Sequence, residues 1–549
     1  MSRSTENRPI GRTAFVVTAL AACAAGCSSN PGEDPGRGVA SRALSLASAG
    51  RTGPVSARDS ERRAKRRVKE CRRDPRVQLG LVSLDICVGA SIFFQETFAG
   101  NGRTCGSCHP AAHNFTIDRD YIAELAAGDP LFVDESDPKL AELERPDLLR
   151  GFGLVTVNAD GFDDPTQKFV MRSVSHIFSL ATSLTPPPSN DGKLALDHTN
   201  LPPNERTGWG GDGAPGSGEL RDFTDGAVTQ HLTQSLARVP GVDFVLPSDA
   251  ERNAISAYMM SVGRKNELDL TAVQLSDAAA ERGRRSFVSG AGSECNDCHH
   301  NAGANIVVTD DSTGVSFLGN FTLEVGTEIG RLPILDQLGI PYDGGFGTRP
   351  HDTDRDGVMD SFGNGAFNIP PLIEAADTAP LFHTNAAETI EDAIRFYTTD
   401  AFANALAGSP SPERPHGGPM LLSDDDVADL GRFLRVLNAA FNCQLAMQRL
   451  SATVAIHDAY GAGFDDIEAG LLALARVEVV DALTDLAAIP NLSAGVQARL
   501  RNALRAIDHG LHERGGCDAT KAALEQVSNA NTALGDGMVF QLGEGTLMF

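Results

Sequence analysis

The sequence is poor in tryptophan and tyrosine: one Trp and 5 Tyr stand among 549 residues, against 26 Phe. It is also short of positive charge, with 47 Lys and Arg against 72 Asp and Glu and a net charge of −25. An acidic chain repels phosphate backbones, which argues against nucleic acid as a partner. Its 10 Cys are too few for a disulfide scaffold of this length. No nucleotide-binding glycine loop and no serine-nucleophile elbow occurs. Long apolar runs are missing, apart from one at residues 14–25 that is too short to span a bilayer. The hydrophobic content of 41% is nonetheless ample for buried cores, so a wholly disordered chain is excluded.

Arg3, Arg8 and Arg12 precede that apolar run and small residues end it, the form of a secretory signal. Leu20-Ala21-Ala22-Cys23 and Ala25-Gly26-Cys27-Ser28 both resemble the lipobox in which a Cys becomes acylated, and the sequence does not choose between them. Residues 1–27 are thus expected to be a signal or lipoprotein segment. The protein is then exported, periplasmic or in the cell envelope, and meets the membrane through a lipid anchor. Residues 28–76 read as a flexible tether, basic at its end: Arg51 to Arg76 holds 11 basic residues and 4 acidic ones. The ERRAKRRVK run at 61–69 could approach an anionic lipid surface, although a solvated helical face is the commoner origin of such a run.

Ordered structure is expected from Val77 and is mainly α. Helical patterns cover 85–98, 248–265, 276–290, 388–398 and 423–437, and a glycine-rich, partly β-like insertion lies at 305–366. Residues 186–219 read as a long loop. Beyond 440, Leu and Ala recur at helical spacing in four segments, a helical extension over 441–549.

Two pentapeptides carry the chemistry: Cys105-Gly106-Ser107-Cys108-His109 and Cys295-Asn296-Asp297-Cys298-His299. Cysteines three apart share one helical face and can add to the two vinyl groups along one edge of a haem, leaving the adjacent His to ligate the iron. A single four-Cys zinc site would leave both His unexplained, and a dithiol redox motif would need a thioredoxin-like βαβ context that neither site has. The expected cofactors are therefore two covalent c-type haems. Each motif anchors a haem domain, 77–275 and 276–440. Cys71, Cys87, Cys443 and Cys517 remain for disulfides, with Cys71–Cys87 and Cys443–Cys517 one of three possible pairings. Asp352, Asp354, Asp356 and Asp360, with Gly357 between them, have the spacing of an EF-hand-like calcium loop, although Gly363 stands where that loop ends in Glu.

Around these motifs, over about residues 80–440, the chain resembles the di-haem bacterial cytochrome c peroxidase/MauG family. The likeness rests on Ile92-Phe93-Phe94 leading into the first motif, on Trp209-Gly210-Gly211-Asp212-Gly213, and on Phe367-Asn368-Ile369-Pro370 followed by Thr378-Ala379-Pro380-Leu381-Phe382-His383. It implies two cytochrome c-like haem domains facing one interface. It also implies reduction of hydrogen peroxide, or activation of peroxide or O2, at the N-terminal haem. Electrons would come from a small cytochrome or cupredoxin through the C-terminal haem. In that resemblance Trp209 relays electrons between the haems and Tyr397 ligates the second iron, although Tyr397 also completes a core stripe with Ile390 and Ile394. Glu219 and His231 fall near the places of the family's acid/base residues, but no Glu occupies the second place. His113 or His176, as a sixth ligand, would close the first iron and make the protein a pure electron carrier. A di-haem oxygenase similar to rubber oxygenases and a calcium-dependent scaffold are further alternatives.

Overall fold

Helices build most of the molecule, and the first of them begins well before Val77. The computed structural model describes residues 57–549 apart from 159–168, 184–219, 290–293, 310–315, 346–365, 409–416 and a few shorter stretches (321, 406, 462, 490–493 and 513–516). All of these residues belong to the unit Thr52–Phe549. Ala57–Cys71 is a helix and Pro75–Gln78 a further turn, so the tether reading fails from residue 57 onward. The basic composition hid the cause. Arg67 turns inward, where it pairs with Glu96 and lies 3.5 Å from Glu251, and Cys71 is disulfide-bonded to Cys87. Replacing both of these cysteines by serine is expected to lower the unfolding free energy by about 3 kcal/mol, the value for a loop of this length. A denaturant midpoint that did not move would show that the ion pairs of Arg63 and Arg67 and the packing of the helix hold it without the disulfide.

Each Cys-x-x-Cys-His motif follows a helix that crosses a later helix at a glycine. Leu84–Gln95 packs against Asp249–Met259, and Ala278–Ser289 packs against Asp424–Tyr460. A Cβ on Gly89 would sit 1.9 Å from the Ala254 carbonyl oxygen, and one on Gly283 would sit 2.0 Å from that of Asp429. One turn beyond each glycine comes a buried phenylalanine. Phe93 meets Tyr258 with ring centroids 5.2 Å apart, and Phe287 meets Phe433 at 5.4 Å. The two halves thus repeat one arrangement: a glycine contact, a ring pair one turn on, and then the motif.

The Asp424–Tyr460 helix has 37 residues and opens on a reciprocal cap between Ser423 and Asp426. It runs unbroken through the 440/441 boundary expected from sequence, and Val436, Leu437, Phe441 and Leu445 lie in one continuous core. Asp465–Ala487, Ala494–His512 and Cys517–Leu534 complete the C-terminal helices. The end of the chain then returns to the middle. Gly535–Asp536 pairs antiparallel with Gln274–Leu275, and Arg264 bridges to Leu542. Cys443 and Cys517 are not bonded, which corrects the second disulfide. Cys517 Sγ lies 3.7 Å from Asp458, fifteen residues past Cys443 on the long helix and so about 22 Å along its axis.

Strands are short among the described residues: Val155–Val157 with Val170–Arg172, Ile306–Thr309 with Ser316–Gly319, and Thr322–Leu323 with Phe367–Asn368. No helix among them is long and apolar enough to cross a membrane. Between the two longest helices lies a buried polar seam. Glu478, Asp481 and Asp485 share one face of their helix. Arg449 pairs with Glu478 and also donates to the carbonyls of Leu474 and Thr546, both at 3.2 Å. Asn438 and Asn442 both donate to Asp377, and Asn114 donates to Asp481 at 3.1 Å.

Candidate functional site

Both motifs take the same local shape. Cys105–Cys108 and Cys295–Cys298 are single helical turns, and the next residue leaves the helix with nearly identical angles, φ −120° and ψ 65° at His109 and φ −114° and ψ 63° at His299. His109 Nδ1 lies 2.8 Å from the Phe115 carbonyl oxygen, and His299 Nδ1 lies 2.9 Å from that of Pro370. A carbonyl only accepts, so each Nδ1 carries the proton and each Nε2 keeps its lone pair. In the first motif the carbonyl comes from the same loop, brought back by left-handed Asn114 and Phe115 (φ 51° and 57°). In the second it is supplied from 71 residues further along the chain.

One cavity of about 920 Å³ is lined by both motifs, including all four of their thiols and both His rings. Its size falls at the upper end of ligand pockets. None of the four cysteines forms a disulfide, and all are partly exposed. Burial pushes the Cys105 thiol up to about 12, with Cys108 adding to it, and the Cys108 thiol up to about 11 against the opposing pull of Arg103. A dithiol redox motif has the opposite character, a thiol lowered towards neutrality. Burial also pushes His299 down to about 4.

Two further histidines line the first half of the cavity. His176 is buried and accepts the Phe178 N–H on Nδ1 at 3.4 Å, so its neutral ring carries the proton on Nε2. A ring in that form can donate a hydrogen bond from Nε2. His231 ends the Leu220–His231 helix, whose carbonyl there accepts from Asn101 at 2.9 Å. Burial pushes both rings down to about 3, helped by Arg264 and His109 for His176 and by Arg103, Arg238 and His109 for His231. His113 does not reach the cavity: it stacks on Tyr121 at 4.6 Å and lies 3.4 Å from Asp118, which removes it as a sixth ligand. Gln230 is turned away in a reciprocal pair with Asn158.

Tyr397 caps the Ile390–Phe396 helix and lines the cavity on the second motif's side. Burial raises its phenol, and Cys298 and Cys295 add to the rise, which places the ring beside those thiols. Ile390 is buried, Ile394 and Tyr397 are partly buried, and all three line the cavity, with the Tyr397 ring against Phe396 and Phe402. Met420 lies outside that helix. Its N–H donates to the Tyr397 carbonyl at 2.9 Å, and it lines the same cavity. His383, which sequence reading treated only as a landmark, stacks on Phe367 at 3.9 Å and bonds Glu328 at 2.5 Å. No pattern along the chain marks either contact. The Gly-x-x-x-Phe repeat ahead of each motif, by contrast, was available as a signal: Phe93 and Phe287 both line the cavity.

Trp209, Glu219, Asp352, Asp354, Asp356, Asp360, Cys23 and Cys27 lie outside the described residues. Comparison of the chain with protein-family models, with curated proteins and with solved structures finds no match.

Proposed function

We propose that the chain is an exported di-haem c-type oxidoreductase that reduces hydrogen peroxide, or activates peroxide or O2, at the N-terminal haem with electrons supplied through the C-terminal one. One observation carries the reading. Two Cys-x-x-Cys-His turns of the same shape, each with its His ring held through Nδ1 by a backbone carbonyl, open onto one cavity. The repeated glycine crossing and ring pair before each motif support two cytochrome c-like domains. The calcium loop, Trp209 and Glu219 enter the proposal on their sequence pattern alone.

Each haem, when bound, would supply a redox-active iron. Cys105 and Cys108 would hold the first by thioether bonds, with His109 as an iron ligand, and Cys295, Cys298 and His299 would hold the second. Phe115 and Pro370 fix the two His rings and keep their tautomers. The neutral His231 and His176 rings can hydrogen-bond peroxide in the cavity and orient it, while the two protons that complete its reduction to two waters come from solvent. Arg103 and Arg264, both buried, keep these rings from charging at rest. Tyr397 is the proposed distal ligand of the second iron.

Electron paramagnetic resonance of the oxidised protein tests the whole. One high-spin and one low-spin ferric signal are expected. Two low-spin signals would leave only the electron-carrier reading, and absence of covalent haem would end both. A Tyr397→Phe variant is expected to change the visible spectrum of one haem, with Met420→Leu leaving it unaltered. The reverse pattern would move the ligand role to Met420.

A further inference from the structure

The Ala57–Cys71 helix takes no part in the chemistry above, and its surface is unlike the rest of an acidic chain. From residue 61 on, Arg62, Lys65, Arg66 and Lys69 are exposed, Arg72 and Arg73 follow directly, and Glu61 and Glu70 are the only exposed carboxylates among them. Lys65 reaches Glu61 at 2.7 Å and Arg66 reaches Glu70 at 2.8 Å. Exposed pairs of this kind are weak and rearrange readily, so the face keeps its positive excess. The other side of the helix is clamped. Arg67 is buried on Glu96, Arg63 lies 3.6 Å from the same carboxylate, and Cys71 is bonded to Cys87. The cations therefore have a fixed outward direction.

Beside the clamp stands an apolar loop. Glu96 accepts the Phe98 N–H at 3.0 Å, and the Phe98 carbonyl accepts the Val245 N–H at 2.7 Å, so two hydrogen bonds separate the loop from the carboxylate that holds Arg67. Glu251, the other partner of Arg67, caps the helix that this loop enters. On the loop Val239, Val242 and Leu246 are 43%, 73% and 39% exposed, three aliphatic side chains among eight residues. Cations beside projecting aliphatics meet both needs of a bilayer surface: phosphate headgroups for the first and the acyl boundary for the second. A soluble anion or an acidic protein would use the cations and leave the valines without a role.

We infer that the Ala57–Cys71 helix and the Val239–Leu246 loop together form a face that seats the folded unit on an anionic lipid bilayer. This face is independent of the haem reading and of acylation, and it would set which side of the molecule turns to the membrane.

Vesicle co-sedimentation tests it, using the holoprotein exported behind a cleavable leader in place of residues 1–27, which lie outside the Thr52–Phe549 unit. The protein should sediment with phosphatidylethanolamine–phosphatidylglycerol vesicles at low salt and stay in solution with phosphatidylcholine vesicles. Reversing Arg62, Lys65, Arg66 and Lys69 to Glu should weaken partitioning by roughly 1,000-fold or more. Val242→Ser should weaken it by about tenfold and leave the salt dependence in place. Because these side chains are exposed, far-ultraviolet dichroism should not change, and the milder Lys65→Gln/Lys69→Gln variant provides a check should the reversal misfold. No sedimentation with anionic vesicles, equal binding to phosphatidylcholine, or indifference to the charge changes would each overturn the inference.

Discussion

A chain with both Cys295 and Cys298 replaced by alanine should carry one covalent haem instead of two and lose peroxide turnover. The expectation follows from how separately the two motifs are held. The second turn is fixed by the His299 N–H on the Cys295 carbonyl at 2.8 Å and by His299 Nδ1 on Pro370, and neither bond involves a sulfur atom. The backbone of the motif should therefore survive the substitution, while the thioether bonds cannot form. The first motif keeps its own support, Phe115 for His109 and a cap in which the Thr104 N–H donates to Ser107 Oγ at 3.0 Å. The pyridine haemochrome absorbance per chain should accordingly halve and keep its c-type position. The matching Cys105→Ala/Cys108→Ala variant should halve it as well, and the four-fold variant should abolish it. If the double variant retained the full absorbance, the cysteines would not be attachment points and the proposed function would fall with them.

The second large effect concerns pH. Burial, with Asp481 adding to it and Arg449 opposing, raises Glu478 from its ordinary value to about 7. Asp377 and Asp485 are held well above the usual carboxylate range, each by burial first and then by its carboxylate neighbours. In the unfolded chain Glu478 loses its proton near pH 4.3. Between there and pH 7 the folded state holds the proton and the unfolded state does not. The stability from this group is full below about pH 4 and declines as pH rises through 7, by about 3 kcal/mol in all. Two histidines act in the other direction. His176 and His231, pushed down to about 3, bind their protons only when unfolded, so their part of the stability grows from about pH 3 towards 6.5. The total curve is thus a contest, and the informative quantity is a difference. Glu478→Gln should remove a falling component of about 3 kcal/mol between pH 4.5 and 7, read from urea midpoints across that range. If wild type and variant gave parallel curves, Glu478 would be ionised in the folded protein.

What could be read along the chain was local. Cys105 to His109 and Cys295 to His299 declare themselves within five residues, and the Ser423 cap and Asp277, which accepts from the N–H groups of Ala279 and Ala280, stand where helix-start chemistry puts them. What escaped depended on contacts across the fold. Met420 reaches Tyr397 only through a closed loop. Pro370 serves His299 from far along the chain, and His176 is defined by the backbone of Phe178 together with the cavity beside it. The pairing of Cys443 with Cys517 came from counting leftovers, which takes no account of position along a helix axis. The helix at Ala57–Cys71 was hidden because its stabilising partners, Glu96 and Cys87, lie in a different element.

The Asp424–Tyr460 helix gives the C-terminal helices a mechanical meaning. Leu430 and Leu434, near its start, form part of the cavity wall, while Arg449, Thr453 and Ile456 near its end are buried among the helices that follow. A rod of 37 residues is about 55 Å long and bends little. The cavity wall and the C-terminal bundle therefore share one beam. A substitution that shifts the grip of the last helices on this helix is therefore expected to move the cavity wall at Leu430 and Leu434 as well.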